Sequence, residues 1–165
     1  MLSKSERAVL LCQLAEMPLF LEKRFASLPA AEAVREGPNH AFSPVEQSWH
    51  LANLEVEGFG TRIRRLLQEA EPALPDFDGG RVARERQYRS RSLPEGLSAF
   101  RSARAANLSL LRALDVDQWS RAGTQEGVGR IMLCDLPDMM TEHDNSHRAE
   151  IEAWIDSGEG RPTRG

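Results

Sequence analysis

The chain has 165 residues and a mass of 18.5 kDa, enough for one domain and short for two. With 41% hydrophobic and 28% charged residues it can fill a core and keep an ordinary soluble surface. Its 21 Lys and Arg against 25 Asp and Glu leave a formal net charge of −4, which argues against non-specific nucleic-acid binding, a process driven by neutralising phosphates.

Three segments open with the same device: Ser3-x-x-Glu6, Ser43-x-x-Glu46 and Ser92-x-x-Glu95 each read as a capping box. The first predicts a helix from about residue 4 to 28 on Val9, Leu10, Leu14 and Met17, kinked or restarted at Pro18 and continued by Leu19, Leu21 and Phe25. The second, with Pro44 at its first position, predicts a helix over 44–70 on Val45, Trp49, Ala52, Val56, Phe59, Ile63 and Leu66. A less regular stretch, 71–91, comes next. It holds Gly79-Gly80 and the basic run Arg81, Arg84, Arg86, Arg89 and Arg91, expected as solvated or locally paired surface. The third box predicts a helix over 93–114 on Leu97, Phe100, Leu108 and Leu111. The glycines of 123–129 have no strand before them and make no phosphate loop. A fourth helix is expected over 135–156, with Asp135 before it and Pro137 in its first turn.

No strand alternation persists anywhere, so a sheet of three or more strands is not expected. Four amphipathic segments predict an all-α four-helix bundle: a single domain over 1–157 and a flexible tail over 158–165. No apolar run approaches the roughly 18–20 residues of a spanning helix. The N-terminal residues carry no small-residue cleavage site, so no secretory signal is expected. Cys12 and Cys134 form no C-x-x-C pair and are expected as buried free thiols in a cytoplasmic protein.

On the fourth helix, Leu136, Met140, Ile151 and Trp154 define an apolar stripe, and His143 and His147 fall in its middle. At i and i+4 the two imidazoles project side by side. Burying unsatisfied polar groups costs about 1–3 kcal/mol each. A metal ion satisfies both rings at once, and H-x-x-x-H on a helix is the spacing that permits it. The alternative is a pair of histidines hydrogen-bonded to carboxylates or backbone. A third ligand must come from another helix, and only His40 and His50 remain. His40 lies in the Gly-Pro-Asn connection. His50 lies off the Val45/Val56/Ile63 stripe, so it faces the bundle only if that helix is buried over a wide arc including Leu51 and Leu54. The wheel leaves this open.

Trp49-His50-Leu51 with Glu55, the run from Phe100 to Leu108, Trp119-Ser120-Arg121-Ala122-Gly123 and His143-Asp144-Asn145-Ser146-His147 together resemble the DinB-like (DNA-damage-inducible) four-helix bundle proteins. The resemblance runs from the first helix to about Ile155. It implies a metal triad of His50, His143 and His147 holding a divalent ion, zinc or nickel. It also implies a metal-dependent hydrolase or low-molecular-weight-thiol transferase acting on a small molecule, with a non-catalytic metal-binding or stress-associated bundle as the alternative. A homodimer through an exposed helix face fits a bundle of this size. Two departures stand out. Gln125-Glu126 replaces a His-Pro of many relatives, and Glu150 replaces a glutamine. Glu150, i+3 from His147, is a candidate metal ligand or catalytic base, with a surface salt bridge as the alternative. Asp144 is a candidate for orienting an imidazole. Arg104, on the third helix's apolar stripe, calls for a structural ion pair, with substrate-anion binding as the other reading.

Overall fold

The computed structural model describes residues 3–159. In chain order it contains α1 (Lys4–Phe25), α2 (Ala30–Ala33), α3 (Pro44–Asn53), a π-helical segment (Leu54–Phe59), α4 (Gly60–Gln68), β1 (Ala73–Leu74), α5 (Gly79–Glu85), α6 (Leu93–Arg112), α7 (Val116–Trp119), β2 (Ala122–Gln125), β3 (Gly129–Met132) and α8 (Leu136–Glu159). Helices α1, α3–α4, α6 and α8 form the expected four-helix bundle. No helix among the described residues is long and apolar enough to cross a membrane. The expected tail begins inside α8 at Gly158 and Glu159, and from residue 160 onward it lies outside the described residues.

The three Ser-x-x-Glu segments all start helices, each with different bonding. Before α1 the exchange is reciprocal: Glu6 N–H donates to Ser3 Oγ at 3.2 Å and Ser3 N–H to Glu6 Oε2 at 2.7 Å. Before α3 the Glu46 carboxylate accepts both the backbone N–H and the hydroxyl of Ser43, at 2.9 and 2.7 Å. Before α6 only Ser92 Oγ acts, accepting Glu95 N–H at 3.4 Å.

Helix α1 runs unbroken through Pro18. Its buried face is Leu11, Leu14, Met17, Pro18, Leu21 and Phe25. Val9 and Leu19, expected on that face, are 57% and 62% exposed, because they lie off the line through Leu14, Met17 and Leu21. Cys12, expected buried, is exposed for the same reason, one position past Leu11.

The second main helix departs most from expectation. Asn53, Leu54, Phe59 and Gly60 all keep right-handed helical dihedrals, so α3, the π segment and α4 succeed one another without a break. A π turn admits one extra residue, rotating the downstream residues by about 100° relative to an unbroken α-helix. Val45, Trp49 and Ala52 are buried before it, and Phe59, Ile63 and Leu66 after it. Val56, expected between them, falls in the wide turn and is 48% exposed, while Leu54 and Glu55 turn inward. Asn107 of α6 secures the turn: its Nδ2 donates to the Glu55 carbonyl at 2.7 Å and to Glu55 Oε1 at 3.0 Å.

The absence of strands is the expectation that fails. β1 pairs in parallel with β2, and β2 antiparallel with β3, the register setting Gly123 opposite Ile131 and Leu74 beside Gln125. Strands of two to four residues are too short to show alternation, which is why the pattern hid them. The Trp-x-Arg-x-Gly segment anchors this sheet. Trp119 is buried, and Arg121 donates from Nε to the Leu66 carbonyl and from Nη2 to the Glu69 carbonyl at 2.8 Å. These bonds satisfy carbonyls at the C-terminus of α4 that the helix itself leaves open. A Cβ at Gly123 would sit 2.7 Å from the Pro72 carbonyl, so only glycine lets β2 approach that closely.

The core forms two apolar clusters. One gathers Met17, Leu21, Phe25, Val45, Ala52, Phe100 and Ile151; the other gathers Leu11, Leu14, Leu54, Phe59, Ile63, Leu108 and Met140. Between them lies a buried polar layer drawn from the second main helix, α6 and α8, and Arg104, 2% exposed, is its centre. Its Nη1 and Nη2 donate to Asp144 Oδ2 and Oδ1 at 2.7 and 2.9 Å, and Nη1 also donates to the Leu14 carbonyl at 2.9 Å. Arg104 Nε lies 2.9 Å from Glu55 Oε1 as an ion pair. One side chain thus ties all four main helices together. Burial pushes the Glu55 carboxyl above its usual range, against the opposing pull of Arg104.

Removing one member of a buried charge cluster strands the others. Arg104→Met is expected to lower unfolding free energy by about 3–5 kcal/mol, measured by urea denaturation. A loss of only about 0–1 kcal/mol, typical of a surface pair, would show that the cluster does not hold the bundle.

Candidate metal centre

At one edge of this polar layer three imidazoles meet. His143 and His147 stand one turn apart on α8, with ring centroids 4.4 Å apart and Nε2 atoms 3.1 Å apart. His50 comes across from α3, its Nε2 3.4 Å from that of His143 and its ring 4.9 Å from that of His147. Ligand nitrogens of all three lie within 4.8 Å of one another. Three nitrogens about 2.1 Å from one ion in tetrahedral directions would stand roughly 3.4 Å apart. The two Nε2 spacings about His143, 3.1 and 3.4 Å, lie near that value. His50 and His147 are each 7% exposed and His143 is half-buried.

His50 reaches the cluster because α3 is buried over nearly its whole circumference, Leu51 and Leu54 included. Phe42 and Phe77 stand 5.3 and 6.1 Å from its ring, and Phe59 packs edge-on to His143 at 6.1 Å. The backbone of Gly79, opening α5, lies so close to the His50 ring that a Cβ there would collide with its Cε1 and Nδ1. His50 Nδ1 is buried without a hydrogen-bond partner. A ring pinned by aromatic contacts and a glycine keeps its direction without that bond.

His147 is held differently. Its Nδ1 lies 2.6 Å from Gln47 Oε1, and Gln47 Nε2 donates to Glu150 Oε2 at 2.8 Å. Because the Gln47 amide nitrogen is committed to a carboxylate, its oxygen faces the ring and accepts from Nδ1–H. That fixes the His147 tautomer and leaves the Nε2 lone pair directed at the other two imidazoles. Glu150 Oε2 is also 3.3 Å from His147 Nδ1, on the ring edge away from the convergence point. The His147 contact holds the Glu150 carboxyl down to about 2, with the Gln47 bond helping and burial opposing. Burial first, then the neighbouring imidazoles, depress His50 and His143 to about 3.

The remaining candidates separate cleanly. The His40 side chain is 93% exposed, with Nδ1 2.7 Å from Glu36 Oε1, and takes no part in the cluster. Asp144 and Arg104 are committed to each other in the polar layer, and no bond runs from Asp144 to an imidazole. Arg104 is paired with both Asp144 and Glu55. Cys134 is buried beside Asp135. Gln125 is buried on β2, and Glu126 accepts Asp76 N–H at 3.3 Å. Sequence reasoning missed Gln47. Its one signal is position: three residues before His50, it lies on the face of α3 turned toward α8.

The sequence model of the DinB superfamily matches residues 13–151. The chain belongs to the DinB superfamily. Comparison with curated proteins finds no match. Among solved structures, YfiT from Bacillus subtilis, described as a probable metal-dependent hydrolase with an unusual four-helix bundle topology, superposes with a TM-score of 0.87 at 19% identity, over 96% of this chain and 91% of that one. A mycothiol-dependent maleylpyruvate isomerase superposes with a TM-score of 0.72 at 10% identity, over 88% of this chain and 60% of the isomerase. At these identities the superpositions establish the fold alone.

The depressed imidazoles set a pH dependence for metal-free protein. In the folded chain His50 and His143 stay neutral down to about 3, whereas unfolded imidazoles take up a proton near 6.5. Between those values the unfolded chain binds more protons, so stability is full above 6.5 and falls as the pH drops toward 3. Glu150, lowered from 4.5 to about 2, acts in the same direction at lower pH. Urea midpoints recorded in chelator between neutral and mildly acid pH should therefore fall on acidification, and His50→Gln with His143→Gln should flatten that slope. An unchanged slope would refute the neutral assignment.

Proposed function

We propose that His50, His143 and His147 hold a divalent metal ion, zinc or nickel, and that the protein is a metal-dependent hydrolase of small molecules. The observation carrying this reading is the grouping of three imidazoles, with the Nε2 atoms of His50 and His147 3.4 and 3.1 Å from that of His143, all ligand nitrogens within 4.8 Å of one another, and the outer nitrogen of His147 tied off by Gln47. A divalent ion held by three imidazoles keeps coordination positions for water or substrate and acts there as a Lewis acid. The chain's own groups do the rest. Gln47 holds the proton on His147 Nδ1, and Phe42, Phe59 and Phe77 limit water around the rings. Glu150, with its carboxyl near 2 and its Oε2 engaged by Gln47, is too weak a base to move protons near neutrality, so its role is to position His147 and Gln47.

The likeness to YfiT supports the hydrolytic reading. The second reading, transfer to or from a low-molecular-weight thiol, is supported by the likeness to the mycothiol-dependent isomerase, of which the chain spans about three-fifths.

Protein purified without an affinity tag is expected to carry one metal ion per chain by elemental analysis. His143→Ala and His147→Ala should lose it, together with the metal-dependent rise in Tm. Gln47→Leu, which frees the His147 tautomer, should weaken metal binding about 10–100-fold. Equal metal content in wild type and the histidine variants would refute the triad. Hydrolysis of an ester and amide panel, with and without added thiol, separates the two reactions.

A further inference from the structure

A cavity of about 590 Å³ opens between the C-terminal turn of α1, α2 and the N-terminal turns of α3 and α6. It lies in the size range of small-molecule sites. Val45 lines it, while His50 lies five residues further along α3, about 140° around the helix. The two sites thus share a helix and not a face. The floor is apolar: Ala33, Val45, Leu93 and Leu97 are all under 10% exposed, and Val34, at 43%, forms the lip.

One cation stands at the mouth. The Arg91 guanidinium lies 3.3 Å from the centre of the Trp49 ring, and that indole is itself fixed by donating from Nε1 to the Ser92 carbonyl at 3.0 Å. Three of the neighbouring arginines are spent: Arg81 faces Asp78 and Glu85, Arg86 faces Glu57, and Arg89 faces Glu36 and Glu46. Among the described residues Arg91 meets no carboxylate. Elsewhere in the lining, Arg101 is already neutralised by Glu22 at 2.6 Å. The cavity therefore offers a pre-positioned single positive charge beside an apolar floor.

We propose that this cavity is a ligand site for an amphipathic monocarboxylate, its apolar body on the Val45/Leu97 floor and its carboxylate on Arg91. Stacking on Trp49 leaves the in-plane N–H donors of the guanidinium free for a bidentate pair.

Octanoate is the probe and octanol, with the same tail and no charge, is the control, each titrated calorimetrically and by Trp fluorescence into the full chain. Octanoate is expected to bind once per chain and at least tenfold more tightly than octanol. Arg91→Gln, at an exposed position, should remove that preference while metal content stays unchanged. Equal binding of octanoate and octanol to wild type, an undiminished preference in Arg91→Gln, or no binding at millimolar octanoate would overturn the proposal. So would a dimer in sedimentation that Val34→Glu dissociates, because a second copy would then occupy the cavity.

Discussion

A guanidinium held out of water needs carboxylates around it, and Arg104 has two. Its bidentate pair with Asp144 sets the rotation of α8, and its contact with Glu55 sets the depth of the π segment. Asp144 is the residue after His143 and three before His147, so the bond that turns Asp144 inward toward α6 turns both imidazoles toward α3. The imidazole cluster is thus aimed by charges that do not touch it. Such pairs can cost as much in desolvation as they return in attraction. What this one supplies is a defined register among four helices that apolar packing alone would leave free to slide.

That register also explains where the centre sits. Apolar clusters above and below the polar layer close the bundle at both ends. The layer between is where buried polar side chains of the second main helix, α6 and α8 meet, and the histidines occupy its α3–α8 side. Water has little access there, since His50 and His147 are almost fully covered. Burial likewise favours the neutral form of His50 and His143, the state a ligand nitrogen requires.

Much of this was legible in the sequence. Ser-x-x-Glu pairs and 3.6-residue periodicity located the four long helices to within a few residues. The stripe on α8 located His143 and His147, because a helix wheel needs only one unbroken α-helix to be right. Wheel reasoning failed at Val56 and left His50 open for a common reason: the second helix changes its winding between Leu54 and Phe59, and no single wheel describes both halves. Resemblance to a known family pointed to His50 where periodicity could not. Gln47 escaped because its partner lies 100 residues away, and no local pattern encodes that. The short strands escaped because their pairing depends on Arg121 and Gly123 meeting the end of α4, a contact of tertiary structure.

The wide turn between α3 and α4 has a consequence for how this helix can change. Its halves answer to different demands, the first directing an imidazole across the bundle and the second packing Ile63 and Leu66 into the apolar end. Removing a single residue from Leu54–Phe59 would restore ordinary winding and swing one half about 100° against the other, so that aim and packing could no longer both be met. Chain length in this segment is consequently a fixed dimension of the protein, less forgiving of deletion than of most side-chain replacements along the same stretch.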